Sequence, residues 1–188
     1  MLQILKLQAS NDVTAILQLG RENTVINIKG GYLKATQAND NLGIYHPQYG
    51  ELNISGGTIE GYSSAVEVRA GIVNISGGSL MSTATTYKCT ASGGGTTTVG
   101  AALAIAQHDT KKAINVTLSN GTFEGLRAIA LEDPQGNKDN EHVNVSISGG
   151  TYTATEYAVF NNYAGTTINI SGGKFESTGA NGIAVYAR

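Results

Sequence analysis

The chain carries a single cysteine, Cys89, so no intrachain disulfide framework holds it together. That thiol is read as a small buried hydrophobe or an idle loop residue rather than as a nucleophile. Charge is also scarce. Only 14% of the 188 residues are charged, which disfavours a helical bundle, whose exposed faces need Glu, Lys and Arg. A net charge of -2 gives no electrostatic reason to expect nucleic acid or an anionic membrane as partner. No apolar run approaches the length of a transmembrane helix, so membrane insertion is not expected. The opening Met1–Leu7 is too short and interrupted for a signal-peptide core, and no small-residue cleavage site follows it.

What is abundant is glycine (25 residues), with many Thr, Ser, Asn and Ala, and it is arranged periodically. One phrase returns six times: Ile26-Asn27-Ile28-Lys29-Gly30-Gly31, Leu52-Asn53-Ile54-Ser55-Gly56-Gly57, Val73-Asn74-Ile75-Ser76-Gly77-Gly78, Val116-Thr117-Leu118-Ser119-Asn120-Gly121, Val145-Ser146-Ile147-Ser148-Gly149-Gly150 and Ile168-Asn169-Ile170-Ser171-Gly172-Gly173. Two aliphatics separated by one small polar residue have the period of a half-buried strand. A third apolar residue always follows five positions after the second aliphatic: Leu33, Ile59, Leu80, Phe123, Tyr152 and Phe175. A constant internal offset with variable spacing elsewhere marks one repeated unit with insertions in its loops.

A second element, a small residue before an aliphatic, lies between the glycine pairs. It occurs as Ala15-Ile16, Gly43-Ile44, Ala65-Val66, Ala104-Ile105, Ala128-Ile129, Ala158-Val159 and Ala184-Val185. Each coil is therefore expected to hold three short strands, with glycine at the sharp corner because positive φ is cheap only there. Successive second glycines are 26 (31 to 57), 21 (57 to 78), 43 (78 to 121), 29 (121 to 150) and 23 (150 to 173) residues apart. The 43 is read as one coil with an insertion at about 83–100. Residues 1–188 then form a single all-β domain of about six to seven coils, roughly 30 Å long at about 4.8 Å per coil. Its last residues, Gly182–Arg188, look like a strand without a polar cap, so the chain reads as a segment of a longer repeat protein, prone to end-to-end or lateral self-association.

The Asn-Ile-Ser-Gly-Gly-Thr-Ile (53–59) and Ile-Ser-Gly-Gly-Thr-Tyr (147–152) phrases resemble those of right-handed parallel β-helix, pectate-lyase-like domains. More narrowly they resemble repeats of bacterial surface proteins labelled carbohydrate-binding or adhesin-like. The resemblance runs from about Val13 to Arg188. It implies an extracellular or cell-surface address and a scaffold that hosts lyases, hydrolases, tailspikes and inert stalks alike. Its enzymes cluster carboxylates, with Lys or Arg, on one face of neighbouring coils. Here Asp is scarce (Asp12, Asp40, Asp109, Asp133, Asp139), and Glu60, Glu124 and Glu176 recur only as a partial outward row. No catalytic residue is therefore expected.

Other motifs fail. Ser92-Gly93-Gly94-Gly95 lacks the ending of a phosphate loop, and the three histidines have no metal-ligand spacing, so neither cofactor nor metal is expected. Glu132, Asp133 and Asp139 lack the regular spacing of a calcium loop. The Asn27, Asn53, Asn74 and Asn169 column, with Thr117 and Ser146, is read as a solvent-facing ladder of amides bonding from coil to coil. Binding is expected instead at the edge formed by loops after the Ala-aliphatic strand, at Tyr45, His46, Tyr49, Asp133, Asn162 and Tyr163. Rings to stack a sugar and polar groups for its hydroxyls would meet there. The leading reading is a non-catalytic adhesin or glycan-binding module whose partner is a glycan or cell-surface polysaccharide. The alternatives are a β-helix lyase or hydrolase and a phage tailspike or fibre segment.

Overall fold

A computed structural model of the protein describes residues 16–17, 24–36, 41–47, 49–91, 98–107, 112–136 and 142–188. All regular structure among them is strand: β1 (Ile16–Leu17), β2 (Val25–Ala35), β3 (Leu42–His46), β4 (Glu51–Gly61), β5 (Ser64–Val68), β6 (Gly71–Ser82), β7 (Lys88–Cys89), β8 (Thr98–Val99), β9 (Ala101–Ile105), β10 (Ile114–Glu132), β11 (Val143–Ile147), β12 (Thr151–Asn162), β13 (Thr166–Ile170), β14 (Lys174–Ser177) and β15 (Ile183–Ala187). Thirteen of these pair in one parallel sheet that curves until it is nearly closed, while β7 and β8 form a separate antiparallel pair.

The repeated phrase is what the pairing aligns. Ile28, Ile54, Ile75, Leu118, Ile147 and Ile170 are partners in series, and so are Ile26, Leu52, Val73, Val116, Val145 and Ile168. Leu33, Ile59, Leu80, Phe123, Tyr152 and Phe175 make a third row. These rows are the core, and burying each aliphatic contributes roughly 1.5–3 kcal/mol. In the third row the aromatic members stack, Phe123 on Tyr152 and Tyr152 on Phe175, both at 4.7 Å between centroids. The Tyr152 hydroxyl donates to the Gly149 carbonyl at 2.8 Å, so its polar end is satisfied inside. Ile170 keeps its register, but in the last row it is 42% exposed rather than interior.

The two glycines of each corner have different tasks. The second has positive φ throughout, at 93° in Gly31, 92° in Gly57 and 93° in Gly78. The first, at Gly56, Gly77, Gly149 and Gly172, lies against the carbonyl of the preceding repeat, while the fourth corner carries Asn120 there. A Cβ on Gly77 would stand 2.6 Å from the Ser55 oxygen, and one on Gly149 2.3 Å from that of Ser119. In four repeats the bend does not interrupt the strand, whereas at Gly149-Gly150 and Gly172-Gly173 it separates β11 from β12 and β13 from β14, as expected. β2, β4 and β6 run through the glycine pair with only register shifts, and β10 continues through the following corner as well. The Ala-aliphatic row contains a correction: Val66 pairs with Leu103, so Ala102-Leu103 fills the position expected for Ala104-Ile105.

β6 pairs directly with β10, so the 43-residue spacing holds no further paired repeat. Most of its extra residues lie between Ser82 and Ala101, carrying the β7–β8 pair, and the rest lie between Ile105 and Ile114. On the outer side of the first rows the amide ladder forms as expected. Asn53 Nδ2 donates to Asn27 Oδ1 at 3.0 Å, and Asn74 Nδ2 to Asn53 Oδ1 at 2.9 Å.

Candidate functional site

Three of the residues expected on an exposed edge lie inside. Tyr45 and His46 are buried at the end of β3, and Tyr163 is buried against the core. A local turn directs Tyr163 inward. Asn161 Oδ1 accepts the Tyr163 amide at 3.1 Å, while Thr166 Oγ1 accepts from Asn161 Nδ2 and donates to the Tyr163 carbonyl, both at 2.9 Å. The Tyr163 hydroxyl then donates to Gln107 Oε1 at 2.8 Å, and Gln107 Nε2 to the Lys112 carbonyl at 2.6 Å. Burial, with the Asp133 charge behind it, holds the Tyr163 phenol protonated well above its usual range.

Tyr49 and Asn162 are exposed and Asp133 is half-buried. Asp133, Asn162 and Tyr163 come together. Tyr45, His46 and Tyr49 belong to a repeat four steps away, roughly 19 Å along the sheet. Gln48, His108, Lys111 and Asn137–Asp139, in the loops after the same Ala-aliphatic strands, lie outside the described residues, as does the Ser92–Gly95 run.

Burial pushes the His46 imidazole down from 6.5 to about 4, against a smaller opposing effect of its hydrogen bond to the Gly50 backbone. The folded state therefore resists a proton that the unfolded chain accepts. Stability should be full above about pH 6.5, decline as pH falls from 6.5 to about 4, and level off below. Urea titrations across that window check it: His46→Gln should remove most of the slope, and an unchanged slope would place its source elsewhere.

The strongest convergence of chemistry lies at a different corner, between the third-apolar row and the Ala-aliphatic row. Here Gly125 pairs with Ala154 and Arg127 with Tyr157, so Leu126 alone faces Thr155 and Glu156. That extra residue is a β-bulge, and bulges re-aim side chains. Arg127 Nε meets Glu156 Oε2 at 3.3 Å, and its Nη1 meets Glu132 Oε1 at 3.1 Å. Glu132 is fully engaged, since Oε1 also accepts the Tyr87 hydroxyl at 2.8 Å and Oε2 accepts Asn162 Nδ2 at 3.0 Å.

Planar groups stack around this clamp. The Arg127 guanidinium carbon lies 3.2 Å from the Tyr87 centroid and 3.7 Å from that of Phe160. Phe160 in turn stacks on Tyr186 at 5.2 Å, with Tyr157 tilted against both. Tyr87 comes from the insertion and docks on Ala101, Ala104 and Ala130, whose small side chains leave it room. Burial raises the Tyr87 phenol far above its usual range, so it remains a donor to Glu132. Cys89 nearby is pushed up to about 12 by burial, which makes it a packed thiol rather than a nucleophile.

Tyr157, Phe160 and Tyr186 are half-exposed. Beside them an open cleft of about 370 Å³ runs between 155–157 and 179–181, with Arg127 as one wall. Glu60 and Glu124 do not pair, because Met81 separates them in register, and Thr153 separates Glu124 from Glu176. No group of three potential metal-ligating side chains occurs among the described residues. Sequence reasoning took in Glu132 and Asn162 but missed Tyr87, Arg127, Glu156, Tyr157, Phe160 and Tyr186. The available signal was the length of this corner, where 83–100 and 178–182 intervene between paired segments. Compared with protein-family models, curated proteins and solved structures, the chain matches none of them, so its function is argued from this geometry.

Proposed function

We propose that the chain is a right-handed parallel β-helix of about six to seven turns, each contributing three short sheet segments. It acts as a non-catalytic glycan-binding or adhesion module of a bacterial cell-surface protein. In-register pairing of residues 21–43 positions apart supports the winding, since a parallel partner at each repeat is what a coiled chain provides. One observation carries the binding reading. The half-exposed ring of Tyr157, backed by Phe160 and Tyr186, lines an open cleft that also offers Thr155, Glu156 and Asn181. Sugars need such a pairing of apolar face and polar groups. The binding surface is thus moved from the edge expected at Tyr45, His46 and Tyr163 toward the neighbouring corner, with Asn162 and Asp133 at its margin.

Absence of cleavage is argued from the carboxylates. Glycoside hydrolysis takes two carboxyl groups flanking the bond. Here both oxygens of Glu132 are committed to protein donors, which leaves Glu156 as the accessible carboxylate of the cleft. The test is a glycan array with the parent, Tyr157→Ala and Tyr49→Ala. Loss of Tyr157 should weaken binding by on the order of 1 kcal/mol, about fivefold, without altering the fold. Tyr49→Ala, on the distant edge, should bind like the parent. New reducing ends or unsaturated products on acidic polysaccharides would instead establish an enzyme.

A further inference from the structure

The cleft beside Arg127 has a charge imbalance that selects among glycans. Arg127 supplies one positive charge, and two carboxylates, Glu132 and Glu156, contact it. Glu132 is only 12% exposed, with its oxygens engaged by Arg127, Tyr87 and Asn162. Glu156 is 39% exposed and reaches Arg127 through Oε2. The surplus negative charge therefore faces the cleft on Glu156, where the bulge in β12 presents it.

The cation is largely engaged within the protein. Tyr87 and Phe160 pack against the guanidinium, its Nε and Nη1 are held by the two carboxylates, and its side chain is only 11% exposed. Recognition of a uronate or other acidic sugar takes an open Arg fork, which this arrangement lacks. A positive group, in contrast, meets an accessible carboxylate beside the Tyr157 ring, whose face attracts cations. Thr155 and Asn181 are suited to the hydroxyls of the same sugar.

Resting on the glycan-binding reading above, we infer that the cleft takes a glycan bearing free, protonated amino groups, of the glucosamine type, through Glu156 and the Tyr157 ring. Glu156 accepts the ammonium while the Tyr157 ring stacks the apolar face of the pyranose. No bond is made or broken.

The experiment compares three probes of matched length by titration calorimetry at low salt, at a pH where the amines are protonated. They are a β-1,4-linked glucosamine oligomer, its fully N-acetylated counterpart and an oligogalacturonate. The parent should bind the glucosamine oligomer about five- to tenfold more tightly than the acetylated one and show no measurable affinity for the acidic oligomer. In Glu156→Gln the ratio between the first two should collapse to about one. Glu132 still holds Arg127 in that variant, so its thermal unfolding should match the parent's within a few degrees. Tyr157→Ala should weaken both. Equal binding of the acetylated and free oligomers by the parent, lost in Tyr157→Ala, would overturn the amine preference while leaving the glycan reading intact. Preferential binding of the oligogalacturonate would overturn it in the same way. No binding of any probe would remove the glycan reading and this inference together.

Discussion

Replacing Ile75 by alanine is expected to cost about 2–5 kcal/mol of stability. Ile75 is 1% exposed and lies in register between Ile54 and Leu118. Its neighbours cannot collapse into the space it leaves, because hydrogen-bonded rows fix the backbone on both sides. The glycine corner next to it is also rigid, with Gly78 at a φ of 93° against the Gly57 carbonyl. The end of the same ladder provides the contrast. Ile170 is 42% exposed, so Ile170→Ala removes contacts that are already partly in water and should cost about 1 kcal/mol or less. Urea unfolding of both variants checks the gradient, and at this chain length each kcal/mol corresponds to about 2–4 °C in Tm. Equal losses at the two positions would mean that the ladder does not behave as one interior row.

Much of the architecture was legible because the first corner is invariant. Every phrase reaches its third apolar residue after five positions, and the coordinates pair those residues one for one, from Leu33 and Ile59 through to Phe175. The second position is a positive-φ glycine in all six repeats and the first is a glycine in all but the Asn120 corner, so sequence and geometry constrain each other there. The Ala-aliphatic row was less secure. Ala101 to Ala106 offers two overlapping matches, Ala102-Leu103 and Ala104-Ile105, and a shift of two residues preserves the inward face. Hydrogen bonding to β5 and β10 selects Leu103. Strand breaks at the glycine corner occur only in the last two repeats for a related reason: a bend that keeps each peptide beside its copy in the next repeat need not break the pairing.

The site was harder to read. Tyr45 and Tyr186 belong to one register column with Glu67, Ala104, Ala130 and Phe160 between them, yet Tyr45 is buried and Tyr186 half-exposed. Nothing local in the sequence separates the two tyrosines. What covers the middle of the column is the insertion, whose Tyr87 packs on the alanines at 101, 104 and 130. That docking depends on a contact across 40 residues between Tyr87 and Arg127, beyond the reach of any short motif. The aromatic and charged residues were present in the sequence, but their convergence was not.

Arg127→Met is the second large effect, with an expected loss of about 3 kcal/mol. The side chain is 11% exposed and its partner Glu132 12%, so both charges are largely out of water. Truncation leaves Glu132 with neutral donors from Tyr87 and Asn162 but no opposing charge, and removing one member of a buried pair is costly for that reason. It also empties the gap between Tyr87 and Phe160, where the cation–π contact contributes about 0.5–2 kcal/mol. Arg127→Lys should recover little. A lysine ammonium is not planar, so it cannot fill the space between the rings while reaching two carboxylates. A cycle with Glu132→Gln separates charge from packing: the double variant should be less destabilised than the sum of the singles by about 1–2 kcal/mol. Hydrogen exchange reports the second consequence. Tyr87 ties the insertion to the sheet through Arg127 and Glu132, so amides of β7 and β8 should lose protection in Arg127→Met while those of β4 and β6 keep theirs. Additive energies with unchanged exchange at β7 and β8 would reduce the cluster to an incidental surface ion pair.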